Sequence, residues 1–178
     1  ARIVIIAVLA AGIGYLVWRG AQPGSAAPGF VLHDQNGQLT SLAQFRGKVV
    51  ALTFLDPQCR QICPLTSETL LRSLQALGPA AAHVQLLGVN VNVADSSLAD
   101  LQAYTHEHGM DGLGPRWRFL SGTPAQLQRV WHDYNIHVAV VDDDVQHDAE
   151  VILIDPKGRE RAIQPTLMSY GAASNEAQ

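Results

Sequence analysis

The run Val49 to Leu55 (VVALTFL) is apolar at every position but one. A strand with one wet face alternates apolar and polar residues. A run like this needs cover on both faces, which only flanking layers can give. Its β-branched residues favour a strand over a buried helical stretch of the same length. Val84 to Val91 (VQLLGVNV) and Ala149 to Ile154 (AEVILI) give two more core strands.

Helical patterns lie between these runs. Leu65, Leu70, Leu71, Leu74 and Leu77 mark an apolar stripe that ends at Gly78-Pro79, and Pro64 suits the first turn. A second helix is predicted over Leu98 to His108, with Asp95 or Ser96 as its cap. A third opens at Thr123-Pro124, capped by Thr123, and runs to about Tyr134. Phe30 to His33 reads as a short strand before an Asn36-Gly37 hairpin turn. Leu42 to Phe45 reads as a helical turn, and Trp117 to Leu120 as a short strand. Asp155-Pro156-Lys157-Gly158 is a turn signal, with Arg159 to Ile163 pairing back. This order implies an α/β sandwich: a central mixed sheet with parallel crossovers, helices on its faces and an antiparallel edge hairpin.

The remaining length lies at the termini. Ile3 to Trp18 (IVIIAVLAAGIGYLVW) carry no charge and are bracketed by Arg2 and Arg19. Residues 1–19 are therefore expected to be a transmembrane anchor, in preference to a cleaved signal peptide. Residues 20–27 read as a Pro/Gly-rich linker, 28–164 as the folded domain and 165–178 as a loosely ordered tail. The whole chain has 178 residues and a formal net charge of −4. That gives no basic footprint, so nucleic acid is not expected as a partner.

The only two cysteines stand in Asp56-Pro57-Gln58-Cys59-Arg60-Gln61-Ile62-Cys63-Pro64, directly after the first core strand. If this segment is helical, Cys59 and Cys63 share a face, with Cα atoms roughly 6 Å apart. Two such sulfurs can close a disulfide, exchange disulfides or grip one soft metal ion. A purely structural bridge is disfavoured, because so short a loop stabilises little. Arg60 and the helix N-terminus both favour thiolate, which serves metal binding and thiol exchange alike.

A cysteine pair between the first buried strand and its helix is the layout of thioredoxin-like proteins. The run APGFVLHDQNGQLTSLAQFRGKVVALTFLDPQCRQICP resembles the opening of the Sco/SenC family. The segment from Gln146 through His147 to Asp155-Pro156-Lys157-Gly158 resembles that family's His-containing strand entry and its Asp-Pro-x-Gly turn. The likeness spans about residues 28 to 163. It implies a thioredoxin-like fold and a membrane-anchored copper protein that helps assemble the copper centre of cytochrome c oxidase. It also implies Cys59, Cys63 and His147 as the metal ligands. By the same resemblance the domain faces the periplasmic, extracytoplasmic side of a cell membrane. The partner would be the oxidase copper-centre subunit or another respiratory-complex subunit. This chain departs from the family pattern by Arg60-Gln61-Ile62 between the cysteines and by Asp56-Pro57 before them.

Thiolate suits Cu(I), and imidazole suits both copper oxidation states. Two sulfurs and a nitrogen leave an incomplete shell, fit for release by ligand exchange, whereas structural zinc wants four ligands. The rival reading is an enzyme, a thiol–disulfide oxidoreductase with Cys59 and Cys63 as its catalytic pair. His147 discriminates, because such oxidoreductases generally carry a cis-proline where Asp144-Val145-Gln146-His147-Asp148 stands. A peroxidase is disfavoured because Asp56 replaces the peroxide-positioning hydroxyl. An accessory subunit that has lost copper trafficking is the remaining alternative. Asp148 is not expected to be a ligand. His106-Glu107-His108 reads as a solvated helix end, His132 and His137 as surface or boundary residues straddling a helix end, and His33 and His83 as isolated. Asp142-Asp143-Asp144 reads as a solvated loop, and Trp117, Trp131 and Tyr134 as packing.

Overall fold

The computed structural model describes residues 24–142 and 144–165. Among the described residues, nine strands and three α-helices follow in order. They are β1 (Val31–Asp34), β2 (Leu39–Ser41), β3 (Val49–Leu55), α1 (Ile62–Leu77), β4 (Val84–Asn90), α2 (Leu98–Glu107), β5 (Trp117–Ser121), α3 (Pro124–Asp133), β6 (Val138–Val141), β7 (Asp144–His147), β8 (Glu150–Ile154) and β9 (Glu160–Pro165). Seven strands form one sheet in the order β2-β1-β5-β4-β3-β8-β9. β3, β4 and β5 are mutually parallel, and the outer strands join antiparallel. The α/β sandwich with an antiparallel edge hairpin is therefore present.

The unbroken apolar runs have the predicted consequence. β3 and β4 are each buried at every position after the first. Val50, Leu52 and Phe54 join a core with Leu127, Val130 and Trp131 of α3. Ala51 and Leu55 face the opposite core, with Leu70 and Leu74 of α1, Leu101 and Tyr104 of α2, and Cys63. The sheet thus holds Cys63 on its α1 face, just beyond the C-terminal end of β3.

Several local expectations shift. Leu70 and Leu74 are buried, but Leu65 and Leu77 are exposed, so the inward stripe of α1 is narrower than the leucine pattern. The cap of α2 is Ser97, whose hydroxyl accepts from the Asp100 amide while Asp100 answers the Ser97 amide. Asp95 and Ser96 instead receive hydrogen bonds from Asn90. Asp142 and Asp144 do not lie in a simple solvated loop. Asp144 opens β7, which pairs with β6 in an additional hairpin that forms its own two-stranded sheet. Asp142 takes a left-handed φ of 50°, which Asp tolerates better than most residues.

Within the segment expected as linker, the Ala27 amide donates to Gly158 O, and Ser25 O accepts from the Glu160 amide. Pro165 ends β9. The expected anchor and the rest of the expected tail lie outside the described residues. Among the described residues, no helix is long and apolar enough to cross a membrane.

Candidate metal centre

The chain leaves β3 at Leu55 and turns at once through Asp56, a carboxylate only 3% exposed. Asp56 Oδ1 accepts from the Gln58 amide and from Asn92 Nδ2, and Asp56 O accepts from the Cys59 amide. These bonds fold the Pro57–Gln61 loop back over the end of the sheet. Helix α1 then starts at Ile62, not at Cys59. Cys59 therefore lies in the loop and Cys63 in the first turn.

Gln61 stands at the N-cap without a side-chain cap bond. The sulfur of Cys59 fills part of that role, accepting from the Cys63 amide at 3.4 Å. The Cys63 sulfur in turn accepts from the Asp56 amide at 3.5 Å. Neither cysteine is in a disulfide; Cys59 is half-buried and Cys63 buried.

The surroundings split the two thiols apart. A hydrogen bond from the Cys63 thiol, aided by the amides of Cys63, Gln61 and Ile62, outweighs partial burial at Cys59. It lowers the Cys59 pKa from an ordinary 9.0 to about 5. The same bond, together with burial, pushes the Cys63 thiol far up, so it keeps its proton. The pair is an accessible thiolate beside a buried thiol.

The third residue arrives on the extra hairpin. His147 ends β7, opposite Val138. Its Nε2 stands 3.7 Å from Cys63 Sγ, and its Nδ1 is 3.0 Å from Asp148 O. A carbonyl only accepts, so Nδ1 carries a proton, and in the neutral ring Nε2 then presents its lone pair to the sulfur. The cysteine loop and the His147 segment face each other across an open cleft of about 620 Å³. The distant imidazole and the cysteines are thus brought together. Among the described residues, no group of three or more His, Cys, Asp or Glu side chains is arranged to hold a metal ion as it stands. What is preformed is the Cys63–His147 contact, with Cys59 against Cys63. Sulfur and imidazole donors of this kind are the chemistry of thiophilic ions and, for the sulfurs, of disulfide exchange.

A family model described as SCO1/SenC matches residues 19–176. The chain belongs to the SCO1/SenC family. The mitochondrial protein SCO2 homolog of Bos taurus is 28% identical over 137 residues, which cover 72% of this chain and 50% of that protein. The chain therefore spans about half the length of that curated relative. Bradyrhizobium japonicum ScoI, solved with copper bound, superposes with a TM-score of 0.69 at 24% identity, over 84% of this chain and 99% of that one. The thioredoxin domain of a Bacteroides vulgatus thiol-disulfide oxidoreductase gives a TM-score of 0.59 at 21% identity, over 88% and 98%. These superpositions show a thioredoxin-like fold for this SCO1/SenC member.

Sequence patterns alone do not flag Asn92 or Tyr104 as neighbours of the site. Asn92 donates from one Nδ2 to both Asp56 and Asp95, fixing the turn beneath the cysteines. Arg60 pairs with Glu107 at 2.9 Å, tying the loop to the end of α2. Tyr104 lies buried beneath, its hydroxyl sharing a hydrogen bond with Ser67 of α1. His108 packs on Tyr104 with ring centroids 4.3 Å apart, and burial lowers its pKa. Only His106 of that expected solvated pair is fully exposed, and it bonds to Asp111. Asp148 lines the cleft beside His147, and its carboxylate bonds to His137.

Proposed function

We propose that this protein is a copper carrier, binding one copper ion through Cys59 Sγ, Cys63 Sγ and His147 Nε2. The observation that carries the reading is the 3.7 Å approach of His147 Nε2 to Cys63 Sγ. Bonds of about 2.3 Å to sulfur and about 2.0 Å to nitrogen, as zinc sites have, put two ligands of one ion about 3.5–3.8 Å apart at tetrahedral to trigonal angles. Nδ1 is already engaged by a carbonyl, the outer-shell bond that metal-ligating imidazoles usually make. Family membership and the copper held by the Bradyrhizobium relative support the same choice of ion. The cargo would be delivered to the copper-centre subunit of cytochrome c oxidase or to another respiratory-complex subunit. Residues 3–18 would tether the domain to a cell membrane on its extracytoplasmic side.

Anaerobic Cu(I) titration of the reduced protein tests the ligand set. Cys59→Ser, Cys63→Ser and His147→Ala are each expected to weaken binding at least tenfold. Unchanged affinity in His147→Ala would remove the imidazole from the site.

One observation favours a second reading. The accessible Cys59 thiolate beside the buried Cys63 thiol has the asymmetry of an attacking and a resolving cysteine. A thiol–disulfide oxidoreductase acting on oxidase cysteines would use this pair and not need His147. Reductase activity retained in His147→Ala while Cu(I) affinity falls would separate the two roles.

A further inference from the structure

His147 is held in an unusual way. Its hairpin pairs with no strand of the main sheet, so no ladder fixes its distance from the cysteines. The register β6–β7 ends with Val138 opposite His147. One step beyond, His137 and Asp148 face each other. The Asp148 amide donates to His137 O at 3.2 Å. The His137 amide donates to Asp148 Oδ2 at 2.9 Å, and His137 Nδ1 lies 2.8 Å from the same oxygen. Three contacts therefore fix the Asp148 residue. Its own carbonyl is the group that meets His147 Nδ1.

A neutral imidazole carries one proton, and the partner of one nitrogen decides which nitrogen has it. A carbonyl at Nδ1 leaves Nε2 free to bond. We propose that His137 and Asp148 form a clamp that aims the Asp148 carbonyl at His147 and so selects which nitrogen faces Cys63. Both are positioning residues, since they act through His147. The inference rests on the proposed role of His147 but is read out before any metal is present. Nothing in the local sequence flags His137, which by itself is an exposed residue just before β6.

The experiment uses the reduced, metal-free full chain at about pH 8, where an ordinary imidazole is neutral. Long-range nitrogen–proton NMR correlations report the tautomer of His147. The parent protein is expected to show a proton on Nδ1. Asp148→Ala removes the carboxylate and keeps the carbonyl. His137→Ala removes the ring and keeps the amide. The Nε2-protonated form is expected to rise strongly in Asp148→Ala and less in His137→Ala. Asp148→Asn, which still offers an oxygen to the His137 amide, is expected to restore most of the parent pattern. Cu(I) affinity should fall about 10-fold to 100-fold in Asp148→Ala, as for other outer-shell losses. A His147 tautomer unchanged in both alanine variants overturns the clamp. Failure of His147→Ala to weaken Cu(I) binding would instead strike the proposed ligand set, leaving the tautomer result to stand.

Discussion

Cys63 Sγ and His147 Nε2 meet at 3.7 Å across 84 residues of sequence. They come from separate elements, a helix and a strand. Cys63 sits in the first turn of α1 behind β3, and His147 sits at the base of a hairpin outside the seven-stranded sheet. Val138 and Val145 of that hairpin pack against the α3-side core. The contact therefore depends on side-chain packing and turn geometry, not on a hydrogen-bonded ladder.

Cu(I) loading near neutral pH is expected to release about one proton per ion. Metal ligation needs both sulfurs deprotonated. Cys59, with a pKa lowered to about 5, has already lost its proton, whereas Cys63 holds one. Calorimetric titration in buffers of different ionisation enthalpy gives the count. Affinity should also rise with pH through the neutral range. Two protons released per ion would contradict the asymmetry of the pair.

The same asymmetry predicts selective alkylation. Iodoacetamide should modify Cys59 in the reduced protein at a rate that is flat above neutrality and half-maximal near pH 5. Cys63 is 1% exposed and should stay unmodified while the fold persists. Mass spectrometry of the peptide holding both cysteines reads the result. A half-maximal rate in the ordinary thiol range would show that the amides and the Cys63 thiol do not hold Cys59 ionised.

The main sheet was legible because it rests on local patterns. VVALTFL and VQLLGVNV announce two-sided burial, and Thr123-Pro124 announces a capped helix. The β6–β7 hairpin was not legible in Val138-Ala139-Val140-Val141. Val140 is 70% exposed, so the run lacks the alternation of a half-buried strand. Its turn uses a left-handed Asp142 where Asn-Gly or Asp-Gly is the usual signal. The link between cysteines and imidazole came from resemblance, since no spacing rule reaches 84 residues. The Asp56–Asn92 bond joins the ends of β3 and β4, and it becomes visible only once those strands are known to be neighbours.

The reduced, metal-free protein should be more stable at pH 8 than at pH 6. The Cys59 pKa is lower in the folded state than in the unfolded chain. Its contribution is thus fully present above about 9 and lost as pH falls through about 5. Cys63 is shifted upward and opposes this only above the ordinary thiol range, where the unfolded chain sheds a proton that the fold retains. Between those limits the unfolded chain binds one more thiol proton, so stability climbs with pH. Solvent screening at the half-exposed Cys59 reduces the size of the effect. Urea midpoints at the two pH values, compared with Cys59→Ser, isolate it. An equal pH dependence in the variant would remove Cys59 as the cause.

Gly88 in β4 tests the packing that supports the cysteine loop. It lies between Thr53 of β3 and Phe119 of β5 in register. A Cβ there would stand 2.7 Å from Trp117 Cη2 and 3.0 Å from Leu55 Cδ1. Both neighbours are fully buried, so neither can swing into solvent. Trp117 is further held by a 3.1 Å hydrogen bond from Nε1 to Thr105 Oγ1. Relieving the clash must break that bond, displace Leu55 or spread the strands. Gly88→Ala is therefore expected to destabilise by about 1–3 kcal/mol, the usual range for overpacking. A domain of this size should lose about 2–4 °C in Tm per kcal/mol, readable by calorimetry. Leu55 immediately precedes the Asp56 turn, so its displacement should also weaken Cu(I) binding by the reduced protein. An unchanged Tm would mean that the indole has room to move and that the α1-side core is looser than these contacts require.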